Sequence, residues 1–112
     1  IKFLAERESC IIVGRCSDFI LADDPNLLRI YIYAPYEARV ANCVNDLNMD
    51  EEDARKMIRA VDEARDHYHM HYAGFLPNDQ RFKEIMIDSS MLGTEGTADY
   101  LVDAVKRKFE LD

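Results

Sequence analysis

Three short segments carry side chains suited to binding a phosphorylated ligand. They comprise residues 14–18, 34–35 and 88–90, and each follows an apolar run typical of a strand. In the first segment, the Arg15 guanidinium is a planar fork that matches two phosphate oxygens, and the Asp18 carboxylate can accept hydrogen bonds from a sugar or base. The competing interpretation is a surface ion pair between Arg15 and Asp18, and their spacing alone does not decide between the two.

A second set of cations lies on the long helix predicted in the second half of the chain. Arg55 and Arg59 are one turn apart, Arg59 meets Asp62 at i+3, and Arg65 precedes a stretch of aromatic residues and histidines before a loop. Mobile cations beside a loop suit a lid that closes over a transferring phosphoryl group. The alternative is a solvated helix with i,i+4 ion pairs, and composition favours that alternative.

Two further groups of side chains are weaker candidates. His67 and His71 share a helix face at i,i+4, a spacing that can bind a metal, whereas His69 points elsewhere. Because neither an H-E-x-x-H motif nor a nearby cysteine completes a site, we expect no metal. Ser89 and Ser90 have no His–Asp context in the sequence, which argues against a serine nucleophile.

The elements that must position these side chains alternate between strand and helix periodicity. Buried strands are predicted at residues 10–13, 27–33 and 85–87, and the last helix at about 94–109. Asn48 and Glu51 resemble a capping box that opens the long helix. The apolar face predicted for that helix comprises Ala54, Met57, Ile58, Val61, Tyr68 and Tyr72. Strands separated by helices imply a parallel sheet with right-handed crossovers, so the fold class is α/β.

Composition limits the class of protein. The chain has 112 residues, of which 48% are hydrophobic. This length and composition suit one domain, so we expect residues 1–112 to form a single domain. Fourteen basic and 22 acidic residues leave a net charge of −8, which disfavours a nucleic acid polymer or an anionic membrane as partner. No apolar stretch can span a bilayer, and the start has no signal-peptide pattern. Three cysteines without C-x-x-C spacing favour a reducing compartment, so we expect a cytoplasmic protein.

Residues 10–21, with the sequence CIIVGRCSDFIL, resemble the central segment of the cytidylate kinase-like family. That family belongs to the P-loop nucleoside monophosphate kinases. The resemblance continues through residues 29–39 and 62–74 and ends at residues 87–93. It covers nearly the whole chain in the right order, and the V-G-R-C-x-D segment is its specific part.

The resemblance implies a three-layer α/β/α fold with a parallel sheet and a lid at about residues 62–80. Such kinases hold the phosphates of ATP on a Gly-rich loop, but this sequence has four glycines and no G-x-x-x-x-G-K-[ST] motif. We therefore expect that the N-terminal strand and P-loop helix are missing from this chain. Mg-ATP is expected for the complete protein, with none bound firmly by this chain alone, and the exposed sheet edge is expected to favour a homo-oligomer.

The resemblance also assigns roles to residues. The implied reaction moves the γ-phosphoryl group of Mg-ATP to a (d)CMP-like acceptor, so the partners are small nucleotides. Arg15 would bind the acceptor phosphate, Asp18 its ribose or base, Arg65 the transferring charge, and Arg39 would hold phosphate or brace the site. Ser89, Ser90 and Leu92 match a segment that lies close to the nucleotide base in relatives. The alternative is a catalytically inactive nucleotide-binding or regulatory relative, which the absence of basic residues at positions 41–45 favours.

Overall fold

The computed structural model describes all 112 residues and shows a mixed α/β chain that is mostly helical. A single 3₁₀ turn at Gln80–Phe82 precedes the second strand. The elements in chain order are α1 (Lys2–Arg7), α2 (Ser17–Ile20), β1 (Ile30–Tyr33), α3 (Tyr36–Asp46), α4 (Glu51–Ala73), β2 (Ile85–Asp88) and α5 (Ser89–Lys108). None of the helices combines the length and the apolar composition that a bilayer crossing requires.

The sheet consists of β1 and β2, which pair in parallel with Ile30 opposite Ile85 and Tyr33 opposite Asp88. The helical crossover through α3 and α4 makes this pairing possible, because parallel neighbours cannot be joined by a tight turn. At the start of the strands, the Arg29 guanidinium and backbone N–H both donate to the Glu84 carboxylate, with an Nη2–Oε2 distance of 2.6 Å. This ion pair sets the register from which both strands run to a common edge.

The buried strand predicted at residues 10–13 is wrong for this chain. These residues lie outside any helix or strand, and Ile11 and Val13 are 94% and 86% exposed. A β-branched run becomes a strand only when a neighbouring backbone pairs with it, and neither β1 nor β2 does so. The three-layer arrangement and the pairing of an open sheet edge with a second copy of the chain stay predictions.

The connection between α3 and α4 differs from the predicted capping box. Asp50, not Asn48, caps α4, and its carboxylate accepts a hydrogen bond from the Glu52 N–H at 3.2 Å. Asn48 instead has φ of +55°, a left-handed conformation that turns the chain between the helices. At the other end, Gly74 has φ of +81° and ends α4 where the sequence predicts a loop.

The core is small and lies where α3 packs on α4, with Val40, Ala54 and Ile58 buried. The prediction that Tyr68 and Tyr72 continue this buried face is wrong, since they are 46% and 60% exposed. The physical reason is length. Helix α4 has 23 residues and α3 has 11, so the second half of α4 extends beyond its packing partner.

Helix α5 begins earlier than the sequence predicts. A first turn at residues 89–92 is capped by Asp88, which accepts from the Ser90 N–H at 2.8 Å. Gly93, with φ of +73°, then kinks the chain before the predicted helix begins. Helix α5 starts directly after β2, and α3 starts after two residues that follow β1, so both N-termini lie at the edge where β1 and β2 end.

Candidate functional site

The Asp18 carboxylate, predicted to bind substrate, is engaged with distant parts of the chain. His69 Nε2 lies 3.1 and 3.2 Å from its two oxygens, and Lys83 Nζ donates to Oδ2. Burial raises the pKa of Asp18, but the hydrogen bonds from Lys83 and His69 outweigh burial and bring that pKa below its ordinary value. We call Asp18, His69 and Lys83 the Asp18 cluster.

His69 is held on both sides of its ring. Its Nδ1 donates to the carbonyl oxygen of Phe75 at 2.6 Å, and the Phe75 ring meets the imidazole edge-on at 4.7 Å. A carbonyl and a carboxylate can only accept hydrogen bonds, so both contacts are satisfied only when both ring nitrogens carry protons. The two contacts fix the ring between Asp18 and the Phe75 carbonyl oxygen.

Arg39, predicted to be catalytic, braces two helices. Its Nη1 and Nη2 donate to the two carboxylate oxygens of Asp62 at 2.8 and 2.6 Å, which joins α3 to α4. The hydrogen bonds from Arg39 lower the pKa of Asp62, while burial opposes them. The predicted contact between Arg59 and Asp62 does not form, because this tertiary fork occupies the carboxylate.

Helix α4 carries Asp62, Arg65 and His69 at i, i+3 and i+7, so they follow one face over about 10 Å. Asp62 ties this face to α3 and His69 ties it to Asp18 at the start of α2. Arg65, the other predicted catalytic residue, lies between these two anchors, exposed and without a hydrogen bond or ion pair. Its guanidinium is free to bind an anion.

The pKa of Tyr31 on β1 is affected by both predicted catalytic arginines, Arg39 and Arg65. Burial raises the pKa of Tyr31, the charges of Asp62 and Asp66 raise it further, and the charges of Arg39 and Arg65 oppose them. Both arginines are therefore within electrostatic reach of one tyrosine on β1. Neither of them forms a hydrogen bond or an ion pair with Arg15.

Arg15 lies in a turn just before α2. It is exposed, has φ of +61° and makes neither a hydrogen bond nor an ion pair. The surface ion pair with Asp18 that the spacing allowed does not form, because Asp18 turns inward to the Asp18 cluster. Arg15 is thus available to a ligand.

The residues predicted to lie near a nucleotide base are at the carboxyl end of β2. The Ser89 hydroxyl donates to the Tyr33 carbonyl oxygen at 3.3 Å, and the Ser90 hydroxyl donates to Asp88 at 2.6 Å. Leu92 is 44% exposed beside the Gly93 kink. These side chains mark the edge where both strands end, and no hydrogen bond connects them to the arginines.

Arg55 forms the ion pairs of a structural helix residue, which was the alternative to a phosphate-binding role for the arginines of α4. It forms an i,i+4 ion pair with Glu51 at 2.8 Å and a fork with Glu37 on α3. Arg59 and Arg55 lower the pKa of Tyr36, although its buried hydroxyl has no partner at hydrogen-bonding geometry. We assign Arg55 to the packing of α3 on α4.

The histidines are not arranged as a metal site. No group of three or more His, Cys, Asp or Glu side chains in the chain could hold a metal ion. His67 and His71 are exposed, whereas His69 belongs to the Asp18 cluster.

Sequence reasoning did not find the roles of His69 and Lys83. A signal for His69 was present, because it continues the spacing of Ala54 and Ile58 along the buried stripe of α4. Lys83 lies between the 3₁₀ turn and β2, where no periodicity applies. Only the fold brings it to Asp18, 65 positions away.

Comparisons with known proteins agree with the resemblance. The sequence profile of the cytidylate kinase-like family matches residues 1–91. The crystal structure of an uncharacterized protein from Eubacterium ventriosum ATCC 27560 is similar, with 27% identity and a TM-score of 0.79 over 95% of this chain. The chain spans 59% of the length of that protein. None of the curated proteins matches it.

Proposed function

Because the chain belongs to the cytidylate kinase-like family, we propose that it forms part of a phosphotransferase acting on nucleotides. The reaction moves the γ-phosphoryl group of Mg-ATP to a (d)CMP-like nucleoside monophosphate. Enzymes of this class work by holding two anions in line and by neutralising the charge that spreads over the transferring phosphoryl group. This chain must therefore supply arginines of two kinds: some that brace the helices and some that have no partner in the protein and can bind phosphate.

The observation that carries the proposal is the position of Arg65. Its neighbours along α4, Asp62 and His69, are both tied to other elements, while Arg65 itself has no partner. A cation without a counter-charge on an anchored helix face is suited to a negative charge that appears only during reaction. In the proposed reaction, Arg65 stabilises the transferring phosphoryl group, and Arg39 holds α3 and α4 at the spacing that this requires.

Arg15 and Asp18 serve the acceptor nucleotide in this proposal. Arg15 is exposed and unpaired, and its fork can bind two oxygens of the acceptor phosphate. Asp18 accepts from the ribose or base through the lone pairs that His69, Lys83 and the Phe19 N–H leave free. Of the two, Arg15 is the residue that the geometry leaves open to solvent.

The donor nucleotide is the part of the proposal that these residues fit least. This chain has neither a Gly-rich loop with a lysine nor a cluster of ligands for a magnesium ion, so its own side chains do not fit Mg-triphosphate. We therefore assign no residue to the ATP phosphates. Ser89, Ser90 and Leu92 are proposed only to lie beside a nucleotide base.

A second candidate is a nucleotide-binding or regulatory relative without catalysis. Residues 41–45 on α3, which read Ala-Asn-Cys-Val-Asn, contain no basic side chain. Fewer cations near the reacting phosphates would weaken stabilisation of the transition state more than binding of the nucleotide. This candidate keeps Arg15 in its role and gives Arg65 none.

One experiment separates the two candidates. The full-length protein is incubated with Mg-ATP and CMP, dCMP, UMP or AMP, and the nucleoside diphosphates are quantified by chromatography. The proposal expects diphosphate formation that is fastest with CMP or dCMP and absent without magnesium. Binding of CMP by calorimetry without turnover would instead identify the non-catalytic relative, and the absence of both would show that the proposal is wrong.

A further inference from the structure

The turn that carries Arg15 has an unfavourable backbone conformation. Gly14, Arg15 and Cys16 have φ of +71°, +61° and +54°, three consecutive residues in the left-handed region. Residues with a Cβ adopt this region at a cost, and a run of them persists only where the surrounding structure imposes it. Something outside the turn must therefore hold residues 14–21 in place.

The Asp18 cluster is the polar contact that does so. Helix α2 has four residues and no side-chain cap, so it has little stability of its own. Asp18 is joined to His69 and Lys83, which lie 51 and 65 positions away. Cys16 and Leu21 are buried on either side of this contact, at 6% and 9% exposure. The turn is thus attached to α4 and to Lys83, just after the 3₁₀ turn, through one carboxylate.

The partners of Asp18 are themselves rigidly held. The His69 ring is fixed by the carbonyl oxygen and the ring of Phe75. The Lys83 side chain is only 7% exposed, so it cannot exchange Asp18 for a water-exposed carboxylate. A largely buried carboxylate bound to a fixed histidine and a fixed lysine is a precise attachment point for a short segment.

We propose that His69 and Lys83 are positioning residues, which hold Asp18 so that the turn at residues 14–16 presents Arg15 to the acceptor phosphate. This inference rests on the proposed function of Arg15 and adds two residues, neither of which touches substrate. The two ring nitrogens of His69 contact Asp18 and the Phe75 carbonyl oxygen, so the ring links the turn to the end of α4.

The test compares variants of the full-length protein that alter the cluster. His69→Gln keeps one donor, and Lys83→Met keeps the aliphatic stem but removes the charge. His67→Gln is the matched control, since His67 is exposed two positions away on the same helix. Hydrogen exchange of the amides in residues 15–21 is measured without ligand, and the KM for CMP and kcat are measured for each variant.

We expect exchange at residues 15–21 to be about tenfold faster, and the KM for CMP about tenfold higher, in both cluster variants, with kcat nearly unchanged. His67→Gln should match the parent in exchange, KM and kcat. Unchanged exchange, or faster exchange with an unchanged KM, would overturn the inference. If the parent does not phosphorylate any nucleotide, the proposed function fails, and exchange together with the affinity for CMP decides this inference separately.

Discussion

Arg39 on α3 grips Asp62 on α4 with both of its terminal nitrogens, at 2.6 and 2.8 Å. The two side chains are about one-third exposed, at 32% and 41%. The pair lies one turn before Arg65 and fixes the part of α4 that carries it. A fork of this kind is specific to arginine, because an ammonium group cannot bind both carboxylate oxygens in one plane.

The first prediction concerns this brace. Arg39→Lys keeps the charge but loses the fork, so we expect the free energy of unfolding in urea to fall by about 1 kcal/mol. Arg107→Lys is the control, because Arg107 pairs with Asp103 on the exposed surface of α5 and should contribute less than about 0.5 kcal/mol. Equal effects of the two substitutions would mean that the fork has no special role.

The second prediction concerns Arg15. Arg15→Lys in the full-length protein should raise the KM for the acceptor nucleotide about tenfold while leaving the KM for ATP unchanged, since only the acceptor contact is altered. Because Arg15 has no partner in the protein, its substitution should leave thermal stability unchanged. An unchanged KM for the acceptor would show that Arg15 is a surface residue that does not bind the acceptor phosphate.

The third prediction concerns Arg65. Arg65→Ala should lower kcat by about 100-fold or more and change both KM values little, because its contact tightens only in the transition state. Stability should not change, since the guanidinium has no counter-ion to leave unpaired. A rise in KM with kcat retained would instead show that Arg65 binds a ground-state phosphate.

The fourth prediction is acid sensitivity. The pKa values of Asp18 and Asp62 are both held below their ordinary value of 3.8 by the hydrogen bonds they accept from cations. The unfolded chain therefore binds protons before the folded chain does, and stability falls as pH falls. Their contribution is complete above the ordinary pKa and is lost as pH drops through the lower folded values. The free energy of unfolding in urea, measured at pH 7, 5, 4 and 3, should show this decline. Asp18→Asn should make the decline with falling pH smaller. An equal decline in the parent and in Asp18→Asn would contradict a role for Asp18.

The helices and strands were predictable wherever the reason for their formation is local. The apolar periods of α3, α4 and α5 and the runs in β1 and β2 are found in the structure within a few residues. The prediction of a strand at residues 10–13 was wrong because strand formation there depends on a distant partner. Their β-branched run has strand propensity, but a strand needs a paired neighbour, which periodicity along one segment does not reveal.

The polar contacts were less predictable than the elements. From spacing, Asp62 was matched to Arg59 one turn away, yet it binds Arg39, 23 positions away on α3. A local i,i+3 pair gains little at an exposed site, whereas two forked hydrogen bonds across a helix pair gain more. The exposure of Arg15 and the burial of Asp18 likewise depend on Lys83 and His69, which only the tertiary fold brings near.

The last prediction concerns residues 62–80, the lid expected from the sequence. In the second half of α4, Tyr68 and Tyr72 are exposed, and residues 62–80 are held by the polar contacts of Asp62 and His69 and by one buried apolar side chain, Phe75, which packs against Phe19 and Phe82. Segments with few buried apolar contacts open at low cost, which a kinase needs in order to admit nucleotides and then exclude water. We expect amide exchange across residues 62–80 to be at least about tenfold faster than in β1 without ligand, and to slow when CMP and an ATP analogue are added.

Two variants test the cause of this exchange. His67→Gln, which removes an exposed side chain from the same segment, should not alter the pattern, whereas Asp62→Asn should speed exchange by releasing Arg39. Protection across residues 62–80 equal to that of β1 would show that this segment is part of the rigid body and not a lid.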